Sequence, residues 1–492
     1  MATVDAEKQD NAESNVDTLH IKRDKHGLPL IPQPTEDPLD PLNWKAWIKV
    51  LVLFEVSAFT LLTLLSASMI TPSFQVLSRY LHTDLPQTAY ITSIFILFGG
   101  CSAVLWNPIA NVYGRRPVYL VSIIGCVAFL VASGAARSYS ELMAFRALNG
   151  FFSGVPLSLG SATVCDMFFE HERGRYLGIY TLSLITGGHL APVIGGYIEK
   201  DLTWRWCFYI SAMLLSPLVP LCIFTLPETL YPRNSGAKGS RQTGSWKQNF
   251  MLHRTFHRAR SLHPTDFLRP WQMLRYPSVL FPTLYYSASF AYGSIMFVIT
   301  SASFFSQLYH FKPYQTGLLL GIPLTVGSIL GEVLAGGFSD WISERRALQR
   351  GGKRILEDRL LALAPAIVLL PLGIILEGVC IQHSTHWSGV GMGIGIASFG
   401  LQVQTTVVYA YTAECYKEQA ADIGLLLSLW RAVFSFSMGF YALRLGDKIG
   451  FQDAWIAFAF IIVALSAPAV ALLFVGEKWR HKLGPPHLVR DF

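Results

Sequence analysis

The chain has 492 residues, 52% of them hydrophobic and only 14% charged, with 39 Lys and Arg against 32 Asp and Glu. Length alone would suggest about three soluble domains, but this apolar content excludes that organisation. The formal charge of +7 gives no reason to invoke nucleic acid, because basic loops facing an anionic lipid leaflet account for it.

In chain order, residues 1–46 are polar, with no apolar stretch of signal-peptide kind, and read as a disordered cytosolic tail. Twelve strongly apolar stretches follow, at 47–72, 88–110, 116–136, 140–168, 176–198, 204–227, 278–306, 314–341, 360–382, 387–413, 420–446 and 451–476. A bilayer core is roughly 30 Å thick and a helix rises about 1.5 Å per residue, so each stretch can span it. In lipid each span must satisfy its own backbone hydrogen bonds, so the expected fold class is an all-α membrane protein with twelve transmembrane helices. Six spans (within 47–230) and six (within 278–476) flank a basic cytosolic linker, 231–277, with a short amphipathic helix expected around 264–275. This six-plus-six arrangement suggests an internal duplication.

Loop charge sets the topology. With a cytosolic N-terminus, the cytosolic segments, including the tail 477–492, hold 30 of the 39 Lys and Arg. The opposite loops hold 7, and Arg146 and Arg431 lie inside spans. Both termini are therefore expected in the cytosol. The seven Cys all fall within or at the edge of spans, which fits small core residues rather than a disulfide framework, and no metal-ligand spacing occurs.

The loop after span 2 reads Asn107-Pro-Ile-Ala-Asn111-Val-Tyr-Gly114-Arg115-Arg116-Pro117, and the loop after span 8 echoes it in Gly336-Gly337-Phe-Ser-Asp340-Trp-Ile-Ser-Glu344-Arg345-Arg346. Span 4 carries Arg146-Ala-Leu-Asn-Gly150-Phe-Phe-Ser-Gly154 and continues to Asp166 and Arg173-Gly174-Arg175. Span 5 carries Gly187-Gly188-His-Leu-Ala191-Pro192-Val-Ile-Gly195-Gly196. The flanks are Asp40-Pro-Leu-Asn-Trp44 and Leu226-Pro-Glu-Thr229. Together, over nearly all of residues 38–480, these motifs resemble the major facilitator superfamily, more closely its fungal twelve-span drug:proton antiporter-like branch. The first departs from the family signature, with Asn107 replacing Gly, Asn111 replacing Asp and Val112 replacing Arg. In the third, Ala191 stands at one Gly of the antiporter pattern. The resemblance implies the major facilitator fold of two six-helix halves, links the span 5 pattern to export, and associates Arg146 with proton coupling.

Arg115 and Arg116 at the membrane edge can bond helix C-terminal carbonyls and an acidic partner, for which Asp166 is placed. Such a cluster would act as a cytosolic gate, weakened here by Asn111. An ionisable group inside a span is costly and therefore a functional candidate. Glu55 in span 1, with Ser66 on nearly the same face, is the first candidate for taking up and releasing a proton. Glu332, Glu377 and Arg431 come second, and Glu332 could pair with Arg431. His189 is either hydrogen-bonded packing or a proton-dependent gate. Tyr285, Ser289 and Tyr292 in span 7 follow i, i+4, i+7 spacing, and Gln402, Thr405 and Tyr409 in span 10 follow i, i+3, i+7. Such polar stripes are expected to line a substrate cavity, with aromatic faces and Glu55 suited to an organic cation.

No Gly-x-x-x-x-Gly-Lys-[Ser/Thr], His-Glu-x-x-His or Gly-x-Ser-x-Gly sequence occurs, which argues against ATP-driven export and membrane hydrolysis. The expectation is a non-enzymatic secondary active transporter without cofactor or metal: a monomeric proton-coupled antiporter exporting a small organic molecule such as a drug or secondary metabolite. The plasma membrane is favoured over the vacuolar one. The rivals are a proton-coupled importer of a polyamine, amine or other nutrient and, from another class, a transport-incompetent receptor.

Overall fold

The computed structural model describes residues 30, 32–35, 37–231, 262–350, 355–416 and 419–484. Most of the N-terminal tail and of the basic linker, including Arg233 to Arg260, therefore lies outside the described residues. We number the long helical segments α1 (Ala46–Ser68), α2 (Leu85–Tyr113), α3 (Arg115–Ala135), α4 (Tyr139–Met167), α5 (Glu170–Asp201), α6 (Trp204–Thr225), α7 (277–308), α8 (Pro313–Gln349), α9 (Ala364–Gln382), α10 (Trp387–Cys415), α11 (Ala420–Ile449) and α12 (Phe451–Leu483). The molecule is helical, and among the described residues nine helices are long and apolar enough to cross a membrane. The other three are α4, α7 and α10. Of these, α4 and α10 carry buried polar side chains such as Ser153, Thr163, Gln402 and Gln404 among their apolar ones, and α7 is divided by an irregular turn.

Local chemistry sets the ends and breaks. Ser138 caps α4 by accepting from the Glu141 N–H at 3.2 Å. Gly114, at φ +100°, turns the chain between α2 and α3 without a gap, a conformation that favours glycine. Ser216 and Pro217 divide α6 into Trp204–Leu215 and Leu218–Thr225. Residues Ala291–Ile295 of α7 form a π turn, the kind of bulge that often marks a functional position. A short helix, Pro264–Gln272, followed by a 3-10 turn, Met273–Arg275, occupies the place where the linker helix is expected. The helices outrun the apolar stretches of the sequence: α5 starts at Glu170 rather than 176 and α8 runs to Gln349 rather than 341, because polar turns continue a helix beyond the lipid.

Each principal packing partnership of one half has a counterpart in the other. Helix α2 packs on α4 as α8 packs on α10, α3 on α6 as α9 on α12, and α1 on α5 as α7 on α11. The halves meet along α5–α8 and α2–α11, two seams that exchange under the same six-plus-six correspondence. Small residues make the α5–α8 seam close. A Cβ at Gly196 would meet the backbone of Pro313 and Tyr314, and one at Gly317 or Gly321 would meet backbone atoms of Pro192 or of His189 and Val193. On its other side α5 sets Gly187 and Gly195 against the carbonyls of Leu61 and Met69 on and just beyond α1. The glycine pattern of span 5 thus places one helix at backbone distance from two neighbours.

A side chain at Gly195 has no room to enter. Gly195→Val is expected to cost ~1–3 kcal/mol through overpacking, seen as a lower melting midpoint in detergent. An unchanged midpoint would contradict this packing.

Candidate substrate cavity and gates

Where α1, α2, α4 and α5 face α7 and α11, the halves enclose a cavity of about 50 Å³. This is below the roughly 300 Å³ at the lower end of small-molecule sites, so the halves must separate to admit a substrate. Its wall is mostly apolar, with Phe95, Leu157, Phe290 and Val298, and its ionisable residues are His189 and Arg431.

His189 projects from α5 into the seam and is buried. Its Nε2 lies 3.1 Å from Ser294 Oγ on the π turn of α7, and its Nδ1 lies 2.9 Å from Ser328 Oγ on α8. Ser328 Oγ is 2.8 Å from Ser398 Oγ, which donates to the Leu324 carbonyl at 2.8 Å. These bonds can all be satisfied at once in one direction only. Ser398 spends its hydrogen on Leu324, so Ser328 donates to Ser398, His189 Nδ1–H donates to Ser328, and Nε2 accepts from Ser294. The one histidine on the cavity wall therefore joins the first half to two helices of the second, with an accepting nitrogen aimed at a hydroxyl that also lines the cavity.

Arg431 on α11 is also buried, and its guanidinium lies 4.7 Å from the centre of the Phe290 ring. Tyr286, Tyr409 and Tyr180 are its electrostatic neighbours. Its Nε and Nη1 have no hydrogen-bond partner among the described residues. The pairing of Glu332 with Arg431 that the sequence allowed does not form. Glu332 instead accepts from Gln402 Nε2 at 2.5 Å and from Thr406 Oγ1 at 2.7 Å on α10, the helix it faces.

The remaining intramembrane charges are engaged away from the cavity. Arg146 donates to the carbonyls of Ser66 (3.3 Å), Ala67 (2.9 Å) and Ile91 (3.3 Å) and lies over Phe95 and Phe208. It thereby bonds carbonyls at the C-terminal end of α1, where a cation also complements the helix dipole. Glu55 accepts from Thr225 Oγ1 on α6 and is absent from the cavity wall. Glu377 accepts from Trp455 Nε1 at 2.7 Å, joining α9 to α12. Ser66 bonds the Thr63 carbonyl.

The span 7 stripe is corrected by one position. Tyr285 and Ser289 are buried off the cavity, and Tyr292 bonds Tyr441 at 3.0 Å and stacks on Phe458. The cavity face of α7 instead carries Phe290, Ser294 and Val298, with Tyr286 one turn earlier beside Arg431. The offset is already present at Tyr286 and Phe290, ahead of the π turn, and reflects how α7 is rotated against its neighbours; the π turn then carries the same face on to Ser294 and Val298. In α10, Tyr409 packs edge-on against Tyr286, while Gln402 and Thr405 bond Glu332 and the Leu401 carbonyl. Sequence reasoning missed Tyr286, Ser294, Ser328 and Ser398; each is a single neutral polar side chain within a span and carries no local signature.

At one end of the first half, Glu228 of the second flank is buried against the start of α3. It accepts from the backbone N–H groups of Arg115 (2.9 Å), Arg116 (3.1 Å) and Leu230 (2.9 Å), the anion site that a helix N-terminus offers. Gly114 passes directly beside its carboxylate. Arg115 and Asp166 come together in an ion pair at 2.6 Å, and Arg116 donates to the carbonyls of Leu226 (2.8 Å) and Ile223 (2.7 Å). Asn107 is buried in α2, and Asn111 lies a turn further on. The two flanks also meet each other, through Tyr231 to Asp37 at 3.1 Å. The cluster sits within the first half and ties α3, α4 and α6 together.

Residues 56–432 match the family model of the Major Facilitator Superfamily. An uncharacterized transporter of Schizosaccharomyces pombe is 27% identical over 99% of this chain and 100% of its own length. An efflux pump of Floropilus chiversii is 27% identical over 90% of this chain and 83% of its own. Among solved structures, a bacterial homolog of the human lysosomal transporter Spinster, in an inward-facing and unoccupied conformation, shares the fold. Its TM-score is 0.59 at 14% identity, over 89% of this chain and 99% of that one.

Removing the Glu228 acceptor leaves three backbone donors unpaired. Glu228→Ala is expected to destabilise the protein by ~3 kcal/mol, at about 1 kcal/mol per bond, while Asp166→Asn costs less. Thermal unfolding of the purified variants checks the order, and a smaller effect for Glu228→Ala would contradict it.

Proposed function

Since the chain belongs to the major facilitator superfamily, a family of membrane transporters, we propose that it is a proton-coupled antiporter that exports a small organic molecule by alternating access. One observation carries the reading: the ionisable imidazole on the cavity wall, His189, holds the two halves together through Ser294 and Ser328. A proton arriving at Nε2 turns that nitrogen from acceptor to donor, so Ser294 must reverse its hydroxyl and the bond across the seam becomes charge-assisted. Protonation and separation of the halves are thereby linked, and rocking about the α5–α8 and α2–α11 seams exposes the cavity to each side in turn. Arg431 is the other ionisable group on that wall.

In this reading Arg146 and Glu55, the coupling residues expected from the sequence, act at the margins. Arg146 positions the outer end of α1 against α2, and Glu55 ties α1 to α6. The cytosolic cluster around Arg115, Asp166 and Glu228 keeps the first half rigid as it moves. Both termini lie in the cytosol, the chain works as a monomer, and export is supported by the similarity to the efflux pump of Floropilus chiversii.

Proteoliposomes with an imposed pH gradient, loaded with a panel of organic solutes, test the proposal. Substrate is expected to accumulate on the acidic side. His189→Gln, which retains hydrogen bonding but does not titrate, is expected to abolish gradient-driven accumulation while leaving substrate-for-substrate exchange intact. Accumulation on the alkaline side would mean symport and favour import, and full gradient coupling in His189→Gln would remove the histidine from the mechanism.

A further inference from the structure

We infer that the cavity selects an organic anion, and that Arg431 is the group that pairs with its acidic function. The inference rests on the reading of this cavity as the substrate site, and it reverses the cationic preference that the sequence suggested.

The argument is one of charge and partners. Arg431 is 6% exposed, lines the cavity, and holds two guanidinium N–H groups, at Nε and Nη1, without acceptors among the described residues. A buried charged donor left without an acceptor is costly, and a fork of this shape matches a carboxylate or a similar planar anion in two parallel bonds. The carboxylates inside the spans do not neutralise it. Glu55 is bound to Thr225, Glu332 to Gln402 and Thr406, and Glu377 to Trp455. No carboxylate lines the cavity wall to attract a cation.

The setting suits recognition rather than packing. Phe290 holds the guanidinium from one side, which restricts the fork to one plane. Tyr286 contributes a buried hydroxyl beside the guanidinium, and Ser428 stands on the same wall of the cavity. The remainder of the wall is aliphatic and aromatic. The matching ligand therefore has an apolar body and one acidic group. An inside-negative membrane potential drives such an anion outward, the direction that export requires.

The test is binding to the purified full-length chain by thermal shift, without any gradient, using naphthalene-2-carboxylate, the neutral naphthalene-2-carboxamide and the cationic 2-(aminomethyl)naphthalene. The carboxylate is expected to stabilise the protein, the amide to do so weakly, and the amine not at all. In Arg431→Gln the affinity for the carboxylate should fall roughly 10- to 100-fold, with Arg431→Lys between. Equal or tighter binding of the amine or amide, no stabilisation by the carboxylate, or undiminished carboxylate binding in Arg431→Gln would each overturn the inference. The order of the three probes on the unsubstituted protein decides the matter even if a variant fails to fold. Because no transport is measured, a failure here is distinct from a failure of proton antiport.

Discussion

The structure depends on the approach of α5 to α8 at backbone distance. Glycines at 196, 317 and 321 bring main chain against main chain across the two halves. Such a seam can slide or open without unpacking interlocked side chains, which is what rocking of rigid halves requires. It also leaves few places where a side chain can bridge the halves at this seam, and His189 occupies one of them, bonded to Ser294 and Ser328. Packing on the other side of α5, against α1, makes the first half move as a unit.

The polar groups inside the membrane divide into two sets. Arg146, Glu55, Glu332 and Glu377 each have a partner off the cavity: helix-end carbonyls, a threonine, an amide with a threonine, and an indole. These bonds join neighbouring helices and give each group at least one hydrogen-bond partner. His189 and Arg431 lie on the wall between the halves. One bonds across to the other half, and the other retains donors to spare. The proposed proton site and the proposed site for an acidic solute rest on that division.

Much of this was legible in the sequence. The apolar stretches, the loop charge and the paired motifs gave the helical architecture and the family, because hydropathy and short motifs are local properties. The partnership of Arg115 with Asp166 was readable as complementary charge at one membrane edge. Other features were not readable, for identifiable reasons. The cavity face of α7 depends on how the helix is rotated against its neighbours, which puts Phe290 and Ser294 where Ser289 and Tyr292 were expected, and on a π turn at Ala291–Ile295 that carries this face on to Val298. The partners of Glu332 and Arg431 depend on which helices pack together, and Glu332 turned to α10 rather than α11. The role of Glu228 as an acceptor for the start of α3 required two segments over a hundred residues apart in the chain to meet.

The central claim is that the proton acts on the seam between the halves through His189. The most direct measurement is the distance between spin labels placed on α5 and α8 of the purified full-length chain, read between about pH 5 and pH 8. The account predicts a distance that changes with pH in the parent and does not change in His189→Gln. A pH-independent distance in the parent, or the same pH dependence in both proteins, would contradict it.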